Sequence, residues 1–287
     1  MRKIAIIGAG NVGVSAAKAL FESCDMELCG FVRKNLKPVK GFEEIPVAES
    51  VFDLQKKPDG AIICVPSRLV EPIETELLIN GIHTVDCFDI HEELLSLRKN
   101  LNAAAKMGNV SAIIGAGWDP GLDSVIRTLM VLPFSKGKTY TNFGPGMSMG
   151  HSAAAKSIDG IADAVSITIP LGNGRHSRKI YAVLKKNADK QADEHAILSD
   201  GYFEHDECSV EFVESVKPFL NTAHKVKIER LFENQKAVIE MEIDNPSATG
   251  RILVAAMRAS FLQQPGAYFM PEIPPCDFCG TDCLEYL

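Results

Sequence analysis

Residues 3–13 read KIAIIGAGNVG. The apolar run Lys3–Ile7 breaks at Gly8 and leads into Val12–Ser23, where Ala16, Ala17 and Ala19 line one helical face. An apolar run, a break and an amphipathic stretch predict a strand, a tight turn and a helix. Three glycines fall where such a unit requires them. Gly8 permits the turn, Gly10 lets the backbone approach a pyrophosphate, and Gly13 allows the helix to pack closely on the strand. Asn11 and Val12 open the helix, whose free N–H groups face the phosphates. A GxGxxG set between a strand and a helix, rather than alone, predicts dinucleotide binding.

The pattern repeats outward. Met26–Val32, Gly60–Cys64, His83–Asp86 and Val110–Ile114 are short apolar runs, while Leu69–Asn80 and His91–Met107 read as helices. Gly108 stands where a helix C-cap is expected. Strands alternating with helices over ~115 residues predict right-handed βαβ units and a doubly wound parallel sheet. The end of the second strand selects the cofactor. An acid there would bond the ribose hydroxyls of NAD, but the chain has Val32-Arg33-Lys34-Asn35. Two cations suit a 2′-phosphate, so NADP is expected. Cys64, Pro66 and Ser67, at the end of the third strand, are further expected cofactor contacts.

Beyond Trp118 the period changes. Ala164–Ile169, Lys179–Leu184, Val226–Phe232 and Ala237–Ile243 alternate apolar and polar residues, which predicts a mostly antiparallel sheet with one wet face. Glu233-Asn234-Gln235 reads as a hairpin turn, Ser247–Leu262 as a helix capped by Asn245 or Ser247, and Lys185–His195 as an exposed loop. The expected architecture is α/β. A Rossmann domain, 1–118, is completed by 246–287, and an α+β domain for substrate and dimerisation spans 119–245.

A net charge of −7 argues against a nucleic-acid surface. No apolar run reaches the ~18 residues needed to cross a bilayer, and MRKIAIIGAG lacks the length of a signal-peptide core. A cytoplasmic location is expected. Of eight cysteines, Cys24, Cys29, Cys64 and Cys87 read as small core residues. Cys276, Cys279 and Cys283 include one CxxC pair, but three local thiols fall short of a closed zinc site. No metal is expected.

Three clusters exceed what folding alone requires. Asp86-Cys87-Phe88-Asp89-Ile90-His91 stands at the carboxyl end of a parallel strand, where ligands bind in such sheets. Gly115-Ala116-Gly117-Trp118-Asp119-Pro120-Gly121 follows the last strand of that sheet. Phe143-Gly144-Pro145-Gly146-Met147-Ser148-Met149-Gly150-His151 is too rich in glycine for a strand or helix interior. In this order, the VDxxDxH, GWDPG and GPGxSxGH motifs and Asn245-Pro246 resemble the meso-diaminopimelate dehydrogenase family over most of the chain.

The resemblance implies a homodimeric, NADP-dependent enzyme of lysine and diaminopimelate metabolism. Such an enzyme oxidatively deaminates the D-centre of meso-2,6-diaminopimelate to L-2-amino-6-oxopimelate. It further implies Asp89 and Asp119 as partners of the reacting amino group, with the Met149 and Gly150 backbone on the nearby carboxylate. Trp118 and Phe143 would wall the pocket, Thr168, Arg178 and His224 would hold the distal carboxylate, and Asn245 the distal amino group. Phe143 and Met149 stand where some members carry Trp and Gln. Read as residues, Asp89 and Asp119 can orient an ammonium, and Arg178 offers a planar fork for a carboxylate. Asp119 also suits a helix cap before Pro120-Gly121, and His91 and His151 suit bracing of their turns. A dehydrogenase of another amino acid or diamine, or a cofactor-binding sensor without turnover, are the alternatives.

Overall fold

β1 (Arg2–Ile7) shows why this chain makes layered sheet: Ile4 and Ile6 enter one core and Ala5 and Ile7 another, on opposite faces of the strand. The computed structural model describes residues 1–204, 206–220 and 223–280. After β1 come α1 (Asn11–Phe21), β2 (Met26–Val32), β3 (Val47–Ala48), β4 (Gly60–Ile63), α2 (Val70–Ile79), β5 (His83–Asp86), α3 (Leu94–Gly108) and β6 (Ser111–Ile114). A π-helical turn, Trp118–Leu122, leads into α4 (Asp123–Leu129). Then follow β7 (Lys138–Phe143), β8 (Gly146–Ser148), α5 (Met149–Ser157), β9 (Ile161–Gly172), β10 (Arg175–Leu184), α6 (Lys190–Leu198), β11 (Glu207–Phe212), β12 (Ala223–Phe232), β13 (Gln235–Asp244), α7 (Asn245–Ser260) and β14 (Gly266–Phe269).

These elements form two compact units, Met1–Ile126 with Pro246–Leu287, and Arg127–Asn245. The first unit holds a seven-stranded sheet in the order β14-β6-β5-β4-β1-β2-β3, every pairing parallel. The order reverses between β1 and β4, the switch point at which doubly wound sheets bind ligands. One face buries Leu77, Leu78, Leu97 and Leu101 of α2 and α3; the other buries Ala16, Ala17 and Leu20 of α1 with Leu253 and Met257 of α7. The small face of α1 has a steric purpose, since a Cβ on Gly250 of α7 would lie 2.6 Å from the Ala16 nitrogen. β14, unmarked by any run long enough to read, is the strand that extends the sheet beyond β6.

The second unit holds a four-stranded sheet, β11-β10-β9-β8, and a three-stranded one, β13-β12-β7. All pairings there are antiparallel except β10 with β11.

Four sequence readings need correction. Lys185–His195 is not all loop: Asp189 accepts bonds from Gln191 N and Ala192 N and starts α6. That helix buries fully a single residue, Ile197, so it has little apolar period to read. Met149 and Gly150, in the glycine-rich cluster, begin α5. α3 is capped by Asn109 in the left-handed region (φ 57°) rather than by Gly108. Gly108 is glycine because a Cβ there would lie 1.7 Å from the Leu78 carbonyl oxygen. Cys24, taken as a core residue, is exposed in the turn after α1.

Candidate active site

In the first unit the site residues lie at or just beyond the carboxyl ends of the parallel strands. Gly8 follows β1 at φ +94°, and a Cβ there would sit 2.3 Å from the Cys64 carbonyl oxygen. A Cβ on Gly13 would sit 2.1 Å from the Gly8 carbonyl oxygen, so turn, helix and β4 close on one another only with glycine at both positions. Gly10 differs. A Cβ there meets nothing within 4 Å, and Gly10 caps α1 without a side-chain bond and with no acid in the first turn. The first N–H groups of α1, from Asn11 and Val12 onward, are thus not taken by a side-chain cap, as a pyrophosphate cradle requires. Arg33 is half-buried and Lys34 exposed just past β2. Among the described residues neither side chain is engaged in an ion pair or hydrogen bond. These features fit a nicotinamide dinucleotide.

Past β4 and β5 the contacts run toward the candidate substrate acids. Ser67 donates its hydroxyl to Asp89 Oδ1 at 2.6 Å, and the Asp89 N–H returns a bond to Ser67 Oγ at 3.2 Å. Ser67, expected as a cofactor contact, therefore braces Asp89. Cys87, beside Cys64 across the two strands, also donates to the Ile63 carbonyl at 3.6 Å. Past β6, His91 Nε2 stands 3.6 Å from Asp119 Oδ2. The Asp119 carboxylate, as acceptor for the ring N–H, raises the His91 pKa above its ordinary value, with smaller help from the charges of Glu92 and Asp89. Trp118 is buried, and its indole N–H finds no acceptor among the described residues.

The second unit carries the cationic group. Arg178 and Thr168 are direct register partners across β10 and β9, and Arg178 Nη1 donates to Thr168 Oγ1 at 2.7 Å. Arg178 Nε donates to Asp206 Oδ2 at 2.5 Å. Gly144 (φ +95°) presses against the same strand, since a Cβ there would fall 2.4 Å from the Thr168 carbonyl oxygen. That brings Phe143 near. Its N–H donates to His176 Nε2 at 2.9 Å, and its ring lies 5.6 Å from His176 and 6.0 Å from His224. α5 starts at Met149 and Gly150 with no side-chain cap and no acid in its first turn. Asn245 opens α7 directly after β13, whose Ile243 pairs with His224.

The sequence reading missed Asp206 and His176. Asp206 lies in a turn before β11 and is joined to Arg178 only by folding. His176 carried a usable signal: at period two it shares a face of β10 with Arg178 and the fully buried Ile180 and Ala182. Polar residues continuing a core-facing row are candidates for a site. Cys276 lies in and Cys279 just after a short 3-10 turn, while Cys283 lies outside the described residues. Among the described residues no group of three or more His, Cys, Asp or Glu is placed to hold a metal, and no helix is long and apolar enough to cross a membrane.

A phosphate-ready turn at the switch point of a doubly wound sheet marks an NAD(P)-dependent oxidoreductase. Residues 2–86 match the family model described as "Oxidoreductase family, NAD-binding Rossmann fold", and residues 117–174 match "Diaminopimelic acid dehydrogenase C-terminal domain". The meso-diaminopimelate D-dehydrogenase of Bacteroides fragilis is 43% identical over 100% of this chain and 99% of its own. That of Ureibacillus thermosphaericus is 30% identical over 90% and 88%. The chain belongs to the meso-diaminopimelate dehydrogenase family, and so to the NAD(P)-dependent amino-acid dehydrogenases. Among solved structures, the C. glutamicum diaminopimelate dehydrogenase in complex with DAP superposes with a TM-score of 0.84 at 26% identity, covering 99% of this chain and 97% of that one. An engineered D-amino acid dehydrogenase bound to NADP+ gives 0.86 at 25% identity, covering 99% and 98%.

Proposed function

We propose that this protein uses NADP to oxidise the D-centre of meso-2,6-diaminopimelate, yielding L-2-amino-6-oxopimelate and ammonium. The observation that carries this reading is the split of charge: two acids at the strand ends of one unit, and an arginine built into the sheet of the other. A diamino dicarboxylate presents ammonium groups for the first and a carboxylate for the second. Arg33 and Lys34, without acid partners, favour the 2′-phosphate of NADP over the bare ribose of NAD.

Asp89 and Asp119 bind the reacting ammonium and orient its C–H bond, a positioning effect that accounts for much of enzymatic rate. Ser67 holds Asp89 in place. The first N–H groups of α5, at Met149 and Gly150, take the adjacent carboxylate. Arg178 and Thr168, with His224, take the distal carboxylate, and Asn245 the distal amino group. Trp118 and Phe143 wall the pocket around the reacting carbon. The bound cofactor supplies the hydride acceptor. In the overall balance, the α-C–H leaves as hydride and the ammonium loses protons. Water then adds to the resulting imine and ammonia departs, so one water is consumed and one ammonium and one proton are released. Asp89 or Asp119 accepts the proton from the ammonium.

The enzyme is proposed to act in the cytoplasm as a homodimer. Leu231 and Val238 lie exposed on one face of the three-stranded sheet, the kind of apolar surface a second copy covers. Sedimentation of the purified protein at twice the monomer mass is the expected result.

The decisive assay incubates the protein with NADP and meso-diaminopimelate and follows absorbance of the reduced cofactor. Turnover with the meso isomer, and none with the L,L isomer, is expected. Binding of both ligands with no reduction would sink the enzymatic reading and leave a sensor.

A further inference from the structure

Two fully buried carboxyl groups, Glu74 of α2 and Asp86 of β5, take no part in the chemistry above. Buried acids are costly unless paired and hydrogen-bonded. The backbone bonds that Asp86 accepts lead toward the candidate substrate acids. Asp86 Oδ1 accepts the Phe88 N–H at 2.8 Å and the Gly115 N–H at 2.9 Å. Phe88 immediately precedes Asp89, and Gly115 (φ +59°) opens the turn that delivers Trp118 and Asp119. One oxygen thus joins the exits of two neighbouring strands.

The other oxygen explains Glu74. Asp86 Oδ2 and Glu74 Oε2 meet no N–H or O–H donor from other residues, and the two carboxyl groups are close enough to act on one another, so a proton shared between them would satisfy both. Glu74 Oε1 accepts the Thr84 hydroxyl at 2.5 Å, and Thr84 lies two residues before Asp86, on the same face of β5. Burial pushes both groups up, Glu74 further because the Asp86 charge adds to it, while the Gly115 and Phe88 N–H groups hold Asp86 back. The two N–H groups on Asp86 Oδ1 favour Asp86 as the ionised member of the pair, which leaves Glu74 as the member to carry the shared proton.

We infer that Asp86 is the positioning residue for both Asp89 and Asp119, clamping their two turns through one carboxylate oxygen, with Glu74 as the buried donor that holds Asp86 in orientation. The inference rests on the substrate roles given above to Asp89 and Asp119, and no direct contact with substrate is assigned to Asp86 or Glu74. Its consequence is coordination. The two substrate acids share a common support, so a disturbance of Asp86 moves both.

The test uses the full chain carrying Asp86→Ala, Asp86→Asn, Glu74→Gln or Glu74→Leu. Each variant is measured for amide hydrogen exchange at Phe88 and Gly115, kcat/KM for meso-diaminopimelate, and NADP affinity. Asp86→Ala is expected to expose both amides to exchange together and to lower kcat/KM about 100-fold, the scale of a 1 Å misplacement, with NADP affinity within about twofold. Asp86→Asn keeps an oxygen for both N–H groups and recovers most of that loss. Glu74→Gln keeps a donor toward Asp86 and stays close to wild type, whereas Glu74→Leu, of similar size without a donor, loses roughly tenfold. A loss of melting temperature alone, with kcat/KM intact in Asp86→Ala, would reduce Asp86 to a structural role and overturn the inference. Asn as harmful as Ala while both amides stay protected would overturn it too. Should Asp86→Ala fail to fold, the Gln-against-Leu contrast at Glu74 decides. Should the wild type not oxidise meso-diaminopimelate, the functional reading fails, and amide exchange still decides whether Asp86 ties the two turns.

Discussion

The two groups of candidate substrate residues are built by opposite means. Asp89 and Asp119 stand on turns beyond strand ends, where the Ser67 and His91 side chains reach them. Thr168 and Arg178 stand inside paired strands, bonded to each other in register. Turn residues can be re-aimed by their neighbours, and the buried tie through Asp86 answers that freedom. Residues within a sheet take their direction from the pleat and need no such tie. In the proposed reaction the acids hold the reacting ammonium and need fine placement, while the arginine is proposed to recognise the far end and needs rigidity.

Substitutions on the two sides should therefore fail differently. The largest effect is expected from Asp119→Asn, which removes charge at the reacting ammonium: kcat/KM for meso-diaminopimelate falls by on the order of 10²- to 10⁴-fold. Steady-state kinetics check this, and a change confined to KM would place Asp119 away from the reaction. Arg178→Lys comes next. A lysine keeps the charge but cannot hold Thr168, Asp206 and a carboxylate at once, so KM rises about tenfold with kcat less affected. An unchanged KM would remove Arg178 from the clamp. On the cofactor side, Arg33→Ala combined with Lys34→Ala should raise KM for NADP about tenfold and leave that for NAD unaltered; equal losses with both cofactors would refute the 2′-phosphate assignment.

The smallest effect concerns pH. The Asp119 carboxylate raises the His91 pKa, so protonated His91 is favoured in the fold. Its stabilising contribution is complete below the ordinary imidazole value of about 6.5. That contribution is lost as pH rises through the raised value. With His91 more than half exposed, the effect on stability is slight. The visible consequence is on binding, since neutral His91 leaves Asp119 to the substrate ammonium. KM for the amino acid should fall as pH rises across that range, and His91→Asn should flatten the slope. A wild-type slope retained in His91→Asn would assign it to another group.

The parallel unit was legible because its constraints are steric. Gly8 and Gly13 have no room for a side chain, and β1 alternates between two cores, so both leave marks in the sequence. α6 left almost none, because Asp189 caps it and Ile197 alone anchors it. Asn109 rather than Gly108 caps α3, since a glycine can be required by a neighbour, here Leu78, instead of by its own backbone. Asp89 and Asp119 stand out as charge in turn motifs, whereas Thr168 and Arg178 are pointed to by the family resemblance. Asp206 and Asp86 acquire meaning only through partners that folding brings to them: 28 residues back to Arg178 for the first, and 29 onward to Gly115 for the second.

Because Thr168 and Arg178 face each other across β9 and β10, the clamp proposed for the far carboxylate is sensitive to parity. Adding or deleting one residue in either strand would turn every later side chain to the opposite surface and part the pair. Length changes at the tight Gly172–Arg175 hairpin turn would leave both residues facing the same way. Diversification of what the arginine grips is thus confined to replacement of side chains, while the strand lengths stay fixed.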